Sequence, residues 1–311
     1  IRSYADCLSK QEKPAAVKPE RKEYKDKEVK LKGWPCDAAT AKAMLSKETE
    51  TQKSIELAPG IRMNFVRVPA GSFVMGSNRG HSDYSPVSKQ VVKKAFWMGE
   101  IEVSNEQFRT IFPEHNSRFI GQLWKDHVHE GYPANNPEQP AIRVSWQEAM
   151  DFCKKLSEKT GLNVTLPTEV QWEWACRAGS DDDFWYGSLN TDFAKFENLA
   201  DVQLNKAAVR GVNPQPMNPN DSWYKYYTYQ PKENGVDDGN MLMVKGGSYQ
   251  ANPWGLYDMQ GNVAEWTRSD YMPYPYNEKA QDGTGTEKVA RGGSWTEHPK
   301  TCTSYYRKAY L

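Results

Sequence analysis

No run in the 311-residue chain approaches the ~20 consecutive apolar residues that a membrane-spanning helix requires, and mean hydropathy is -0.83. There is no surplus of either charge: 40 Lys and Arg balance 40 Asp and Glu. With a formal net charge of zero, no global field draws the chain to nucleic acid or to an anionic membrane surface. Cysteine is scarce, at Cys7, Cys36, Cys153, Cys176 and Cys302. None of the five forms a CxxC pair or a zinc spacing, and an odd, thinly spread set is not a disulfide framework. A phosphate-cradling glycine loop and a serine-hydrolase elbow are also missing. The first residue is Ile1, with no charged-then-apolar segment behind it, as expected of a mature or trimmed start that hides targeting information.

What is present divides at about residue 58. Residues 1–58 are expected to be a basic, polar arm or linker, since from Lys10 to Lys32 nine Lys and Arg face five acids. Within it, "GWPCDAATAKAMLSKE" offers one short helix with Asp37 as N-cap, and Trp34 is placed to anchor the arm on a neighbouring surface. Residues 59–311 carry globular patterning. "MNFVRVPAGSFVMGS" alternates like a hairpin turning at Pro69-Ala70-Gly71. Capping boxes, in which a hydroxyl accepts the third helical N–H and Glu or Gln returns a bond, start helices at Ser104 with Gln107, Ser145 with Glu148, and Thr168 with Gln171. The second helix stops at Gly161 and places Ala149, Phe152, Cys153 and Leu156 on one buried face. Cys176 falls on the third helix as a core residue.

Beyond Gly179 regularity fades for roughly a hundred residues, a length unusual in a compact domain unless function or a ligand holds it. "NPWGLYDMQGNVAEW" is the most specific stretch. Asp258, Gly261, Val263 and Glu265 follow at spacings of 3, 2 and 2, so a turn at Gly261-Asn262 aims two carboxylates and two carbonyls at one point. An all-oxygen set suits calcium, which takes 6–8 oxygens. A second cluster pairs Asn198 and the Leu199 carbonyl with Asp238 and Asn240. From spacing alone, turn-forming or solvated acids are the commoner role for such residues.

In order, "VPAGSFVMGS", "PAIRVSWQEAMDFCKKLS", "LPTEVQWEWACRAG", "NPWGLYDMQGNVAEW" and "RGGSW" resemble the formylglycine-generating enzyme (sulfatase-modifying factor) family over about four-fifths of the chain. The resemblance implies an α+β fold, a loop-rich, calcium-stabilised variant of the C-type-lectin-like fold, and places family calcium ligands on both clusters. It also implies a copper(I) site of two cysteines five residues apart, by which the enzymes convert a sulfatase cysteine to formylglycine with oxygen. Here Cys302 matches the second position and Glu297 the first. A carboxylate is a hard, poor ligand for a soft monovalent ion, so copper is not expected and Cys302 is a weak catalytic candidate, expected to be structural. Lowering of its pKa by Lys300 or His298 would be needed for it to react alone. The disulfide partners that the family implies for Cys153 and Cys176 fall on Arg307 or past Leu311, so both are expected as free thiols. Family members also continue past "YYRKAYL" with a further strand. Iron-dependent relatives direct attention to His127 and His129, which are expected in a solvated loop. The leading expectation is a bacterial, extracytoplasmic, non-catalytic binding or assembly module with a protein partner or homo- or hetero-oligomeric assembly. A glycan is a possible ligand, contacted by Trp185, Tyr186, Trp223, Tyr224, Tyr226 and Tyr227 unless these rings are core. The alternative is an oxidoreductase.

Overall fold

The computed structural model describes residues 29–79, 82–120, 131–207, 209–210, 215–216, 220, 231–233, 235–277 and 285–311. Cys7, the arm before residue 29, His127, His129 and the aromatic run 223–227 lie outside the described residues.

The first helix, α1 (Ala38–Met44), begins as expected, with Asp37 Oδ1 accepting the Thr40 N–H at 2.7 Å. Strand β1 (Gln52–Ala58) follows and pairs antiparallel with β2 (Ile61–Val68), setting Gln52 opposite Val66 and Glu56 opposite Arg62. The sheet therefore runs across the boundary expected after residue 58. Alternation is the cause: Leu57 is buried and Ile55 half-buried, while Ser54 and Glu56 face water, the period of a one-sided strand. β5 (Phe96–Gly99) completes this sheet on the other edge of β2.

β2 and β3 (Gly71–Met75) do not form the expected hairpin. β3 instead pairs with β4 (Ser88–Val92) in a separate sheet. The Pro69 carbonyl accepts the Trp174 Nε1–H at 2.8 Å, and a Cβ on Gly71 would stand 2.5 Å from the same indole. This wedge, a hundred residues away in sequence, separates the strands. Two short ladders pair β6 (Phe119–Ile120) with β7 (Tyr132–Pro133) and β8 (Val209–Arg210) with β9 (Gln215–Pro216). A last antiparallel sheet has the order β10 (Glu265–Asp270), β11 (Lys288–Arg291), β12 (Lys308–Tyr310).

All three capping boxes are present, on α2 (Asn105–Arg109), α3 (Trp146–Thr160) and α4 (Glu169–Arg177). Gly161 closes α3 at φ 71°, a left-handed conformation that glycine adopts without strain. Ala149, Phe152, Cys153 and Leu156 are buried as one face, and Phe152 stacks on Phe108 of α2 with centroids 5.0 Å apart. A short α5 (Leu204–Ala207) enters the loop region. Helices, antiparallel ladders and long irregular connections together make an α+β fold low in regular structure.

α4 is buried along almost its whole length although it carries Glu169, Glu173 and Arg177. Arg177 Nε meets Glu173 Oε1 at 2.9 Å, Arg291 Nη2 meets Glu173 Oε2 at 2.5 Å, and Arg307 Nη2 meets Glu169 Oε2 at 2.7 Å. Charges inside a protein cost several kcal/mol each in lost hydration unless paired and hydrogen-bonded. Here the spare guanidinium donors reach carbonyls of Gly76, Asp182, Met272 and Ser304. The network joins α4, β11 and the C-terminal segment, and so fixes the frame on which the loops sit.

Candidate functional site

β11 ends at Arg291 and runs into Gly292 and Gly293, whose φ angles are 87° and 73°. A Cβ on Gly293 would lie 2.3 Å from Cys302 Sγ, so only glycine lets the chain fold back this closely. The returning segment seats Cys302 in the interior, fully buried beside Phe184, Phe193 and Leu199. Its N–H donates to the Pro299 carbonyl at 3.0 Å, closing a 3-10 turn over Pro299–Thr301. Burial drives the Cys302 thiol well above its ordinary pKa, and the Glu297 carboxylate pushes the same way.

Of the two side chains expected to activate that thiol, Lys300 is exposed and His298 is engaged elsewhere. His298 Nδ1 accepts the Lys300 N–H at 3.0 Å as the cap of the turn, and its Nε2 lies 3.6 Å from Glu233 Oε1. Partial burial holds the His298 pKa below its ordinary value, which opposes an imidazolium. Glu297 Oε1 accepts from Lys308 Nζ at 3.1 Å, and its backbone carbonyl accepts the Ala200 N–H at 3.2 Å. Burial works against the Lys308 charge, but the Glu297 carboxylate prevails and raises its pKa.

The oxygen clusters lie next to this segment. Folding brings the 198–202 and 236–242 segments together: the Asn198 Nδ2 amide donates to the Leu242 carbonyl at 2.8 Å, and the Val202 N–H to the Val236 carbonyl at 3.3 Å. Asn198 Oδ1 is buried and accepts no hydrogen bond. Asp238 Oδ1 accepts the Asn240 N–H at 2.7 Å. Burial and the Asp201 carboxylate push the Asp238 carboxyl up to about 7, and Asp201 is raised as well. Two acids at odds and an orphaned amide oxygen are what an oxygen-ligated cation would relieve. The donors present fit calcium.

In the second cluster Asp258 is left-handed at φ 52° and buried, with Oδ2 accepting the Gly247 N–H at 2.7 Å. Gly261, at φ 77°, could carry no side chain, since a Cβ would sit 2.5 Å from the Asn198 carbonyl. The Asn262 N–H donates to that same carbonyl at 2.9 Å, so the two clusters adjoin through Asn198. Val263 is fully buried and Glu265 opens β10. Among the described residues no three of His, Cys, Asp and Glu group to hold a metal, so an ion at either cluster would take amides, main-chain carbonyls and water as well as acids.

Residues 52–310 match the Sulfatase-modifying factor enzyme 1-like domain. The chain belongs to that family. It is 24% identical to the formylglycine-generating enzyme of Mus musculus over 287 residues, covering 77% of this chain and 68% of the enzyme. It is 26% identical to the inactive C-alpha-formylglycine-generating enzyme 2 of Bos taurus, covering 78% of this chain and 80% of that protein. Among solved structures it resembles PvdO from Pseudomonas aeruginosa, with TM-score 0.61, 22% identity, and coverage of 85% of this chain and 94% of PvdO. Treponema denticola variable protein 1 has TM-score 0.54 at 19% identity over 84% of this chain and 94% of its own. Active and inactive relatives share the domain, so membership fixes the scaffold and leaves the activity open.

Within this sulfatase-modifying-factor-like domain, two residues beside the candidate clusters, Glu102 and Asp201, escaped sequence reasoning. Glu102 is buried and accepts the Asn262 Nδ2 amide at 2.8 Å; Asn262 also bonds both the N–H and the carbonyl of Val244. Asp201 Oδ2 accepts the Asp238 N–H. The only local signals were an acid two residues before a capping serine and an acid closing "ENLAD". Trp185 and Tyr186 are half-buried rather than open: Tyr186 stacks between Phe184 and Phe196 at 5.0 and 4.4 Å, and Trp185 meets Phe196 edge-on. No described helix is long and apolar enough to cross a membrane.

Proposed function

We propose that this chain is a non-catalytic binding or assembly module: a calcium-stabilised, C-type-lectin-like variant of the formylglycine-generating scaffold that works outside the cytoplasm on a protein or glycan partner. One observation carries the reading. At the two positions that the resemblance aligns with the copper pair, Glu297 is ion-paired to Lys308 at 3.1 Å and Cys302 is an interior thiol held protonated. Copper(I) requires soft ligands, and thiolate is the nucleophilic and ligating form of cysteine. One buried thiol and one committed carboxylate supply neither. A relative named as inactive, 26% identical, agrees with a scaffold that persists without the reaction.

Calcium at Asp258, Gly261, Val263 and Glu265, and at Asn198, Leu199, Asp238 and Asn240, would supply cross-links between loops that have little regular structure to hold them. Its binding free energy offsets the entropy of ordering those loops. The test of lost chemistry is incubation of the purified protein with copper, oxygen and a Cys-x-Pro-x-Arg peptide, read by mass spectrometry. An unchanged peptide mass is expected. Conversion of the peptide cysteine to an aldehyde would replace this reading with that of an oxidoreductase.

A further inference from the structure

The family match begins at residue 52, yet residues 29–47 are built into the largest core of the domain. Trp34 is only 8% exposed and meets Phe73 edge-on at 5.7 Å and Trp174 at 5.8 Å. Trp174 in turn tilts against Trp254 at 4.7 Å, so three indoles and a phenyl ring close around one point. Polar contacts fix the register of the segment. The Cys36 N–H donates to the Gly179 carbonyl at 3.0 Å, and the Trp254 Nε1–H donates to the Ala41 carbonyl at 2.9 Å.

The domain side is shaped for this segment. A Cβ on Gly179 would lie 2.8 Å from Cys36 Sγ and 3.0 Å from Ala41 Cβ, so glycine is what lets the segment approach. A Cβ on Gly71 would strike Trp174 and stand 3.4 Å from Met44 Cε. Ala41 is fully buried. The connection onward is different in kind: Thr49, Glu50 and Thr51 are exposed, and Glu48 is held by Arg67 Nε at 3.0 Å.

We infer that Phe73, Trp174, Gly179 and Trp254 form a peptide-recognition socket for a Trp-Pro-anchored helical segment, filled in cis by residues 29–47. Its recognition elements are an indole clamp, one main-chain hydrogen bond, one indole-to-carbonyl hydrogen bond and a close approach at Gly179. Its partner class is an amphipathic peptide with tryptophan a few residues ahead of a short, alanine-rich helix. This goes beyond the module reading above and does not depend on calcium, copper or the fate of Cys302.

The test uses the full chain with a protease site placed between Glu50 and Thr51. After cleavage, the N-terminal fragment is expected to co-elute with the domain on size exclusion. A fluorescent synthetic peptide of residues 29–47 should then exchange into the socket at one per domain. The Trp34→Ala peptide should compete about 100-fold or more weakly, since a buried indole supplies most of the anchoring. In the uncut chain, Trp34→Ala should abolish hydrogen-exchange protection at 38–47 and speed Cys36 alkylation, with protection of α3 unchanged. Departure of the fragment without peptide binding, or collapse of the domain once the fragment is diluted away, would overturn the inference. So would loss of α3 protection in the Trp34→Ala chain.

Discussion

Arg307 offers the sharpest test of how the loop-rich frame is held. Arg307 is 3% exposed, and its guanidinium forms a fork onto Glu169, Nε to Oε1 at 2.8 Å and Nη2 to Oε2 at 2.7 Å. Nη1 donates to the carbonyls of Met272 and Asp83, and Tyr271 and Tyr274 face the charge at 4.4 and 4.8 Å. In Arg307→Ala, Glu169 would keep only Arg291 Nε at 3.7 Å, and a buried carboxylate would be left largely uncompensated. Breaking a buried pair by removing one partner costs about 3–5 kcal/mol. For a domain this large, that corresponds to a fall of roughly 10 °C in melting temperature. Thermal and urea denaturation of wild type, Arg307→Ala, Glu169→Gln and the double variant Arg307→Met/Glu169→Gln would measure it. The double variant should recover about half of the single-variant loss, because it leaves no orphaned charge. A single-variant cost below about 1 kcal/mol would refute the claim that this network frames the fold.

Three further outcomes follow from the geometry. Burial raises the thiol pKa of Cys153 to about 11 and those of Cys176 and Cys302 well above their ordinary range, so none of the three should react with iodoacetamide in the native protein, whereas half-buried Cys36 should label slowly; native labelling of Cys302 would contradict its interior placement. Gly261→Ala should lower the melting temperature by more than the same change at exposed Gly235, because its Cβ would meet the Asn198 carbonyl at 2.5 Å; equal melts would count against the close approach. A chelator should lower the melting temperature, and calcium at about a hundred times its Kd should restore roughly 2.7 kcal/mol; an unchanged melt would remove both proposed calcium sites.

What the sequence disclosed was local. Each capping box spans three residues and needs nothing distant, and the apolar face of α3 follows from period alone. The expected hairpin failed because its turn is held open by Trp174, about a hundred residues downstream. Trp34 as an anchor and the Asp37-capped helix were legible within the arm, but the boundary at residue 58 divided β1 from its partner β2. Glu169, Glu173 and Arg177 recur every four residues on α4, and Arg291 and Arg307, from the far end of the chain, supply the pairing that their burial requires. Asp258, Gly261, Asn198 and Asp238 were nominated from their motifs, and the fold sets Gly261 against the Asn198 carbonyl. Glu102 was not, because its link to Asn262 spans 160 positions.

Elemental analysis of the purified full-length protein, after dialysis against trace copper and calcium, bears most directly on whether the scaffold has kept its metal chemistry. About one to two calcium ions per chain with copper at background is the predicted result. Copper bound near one equivalent, and lost on Cys302→Ser, would contradict it.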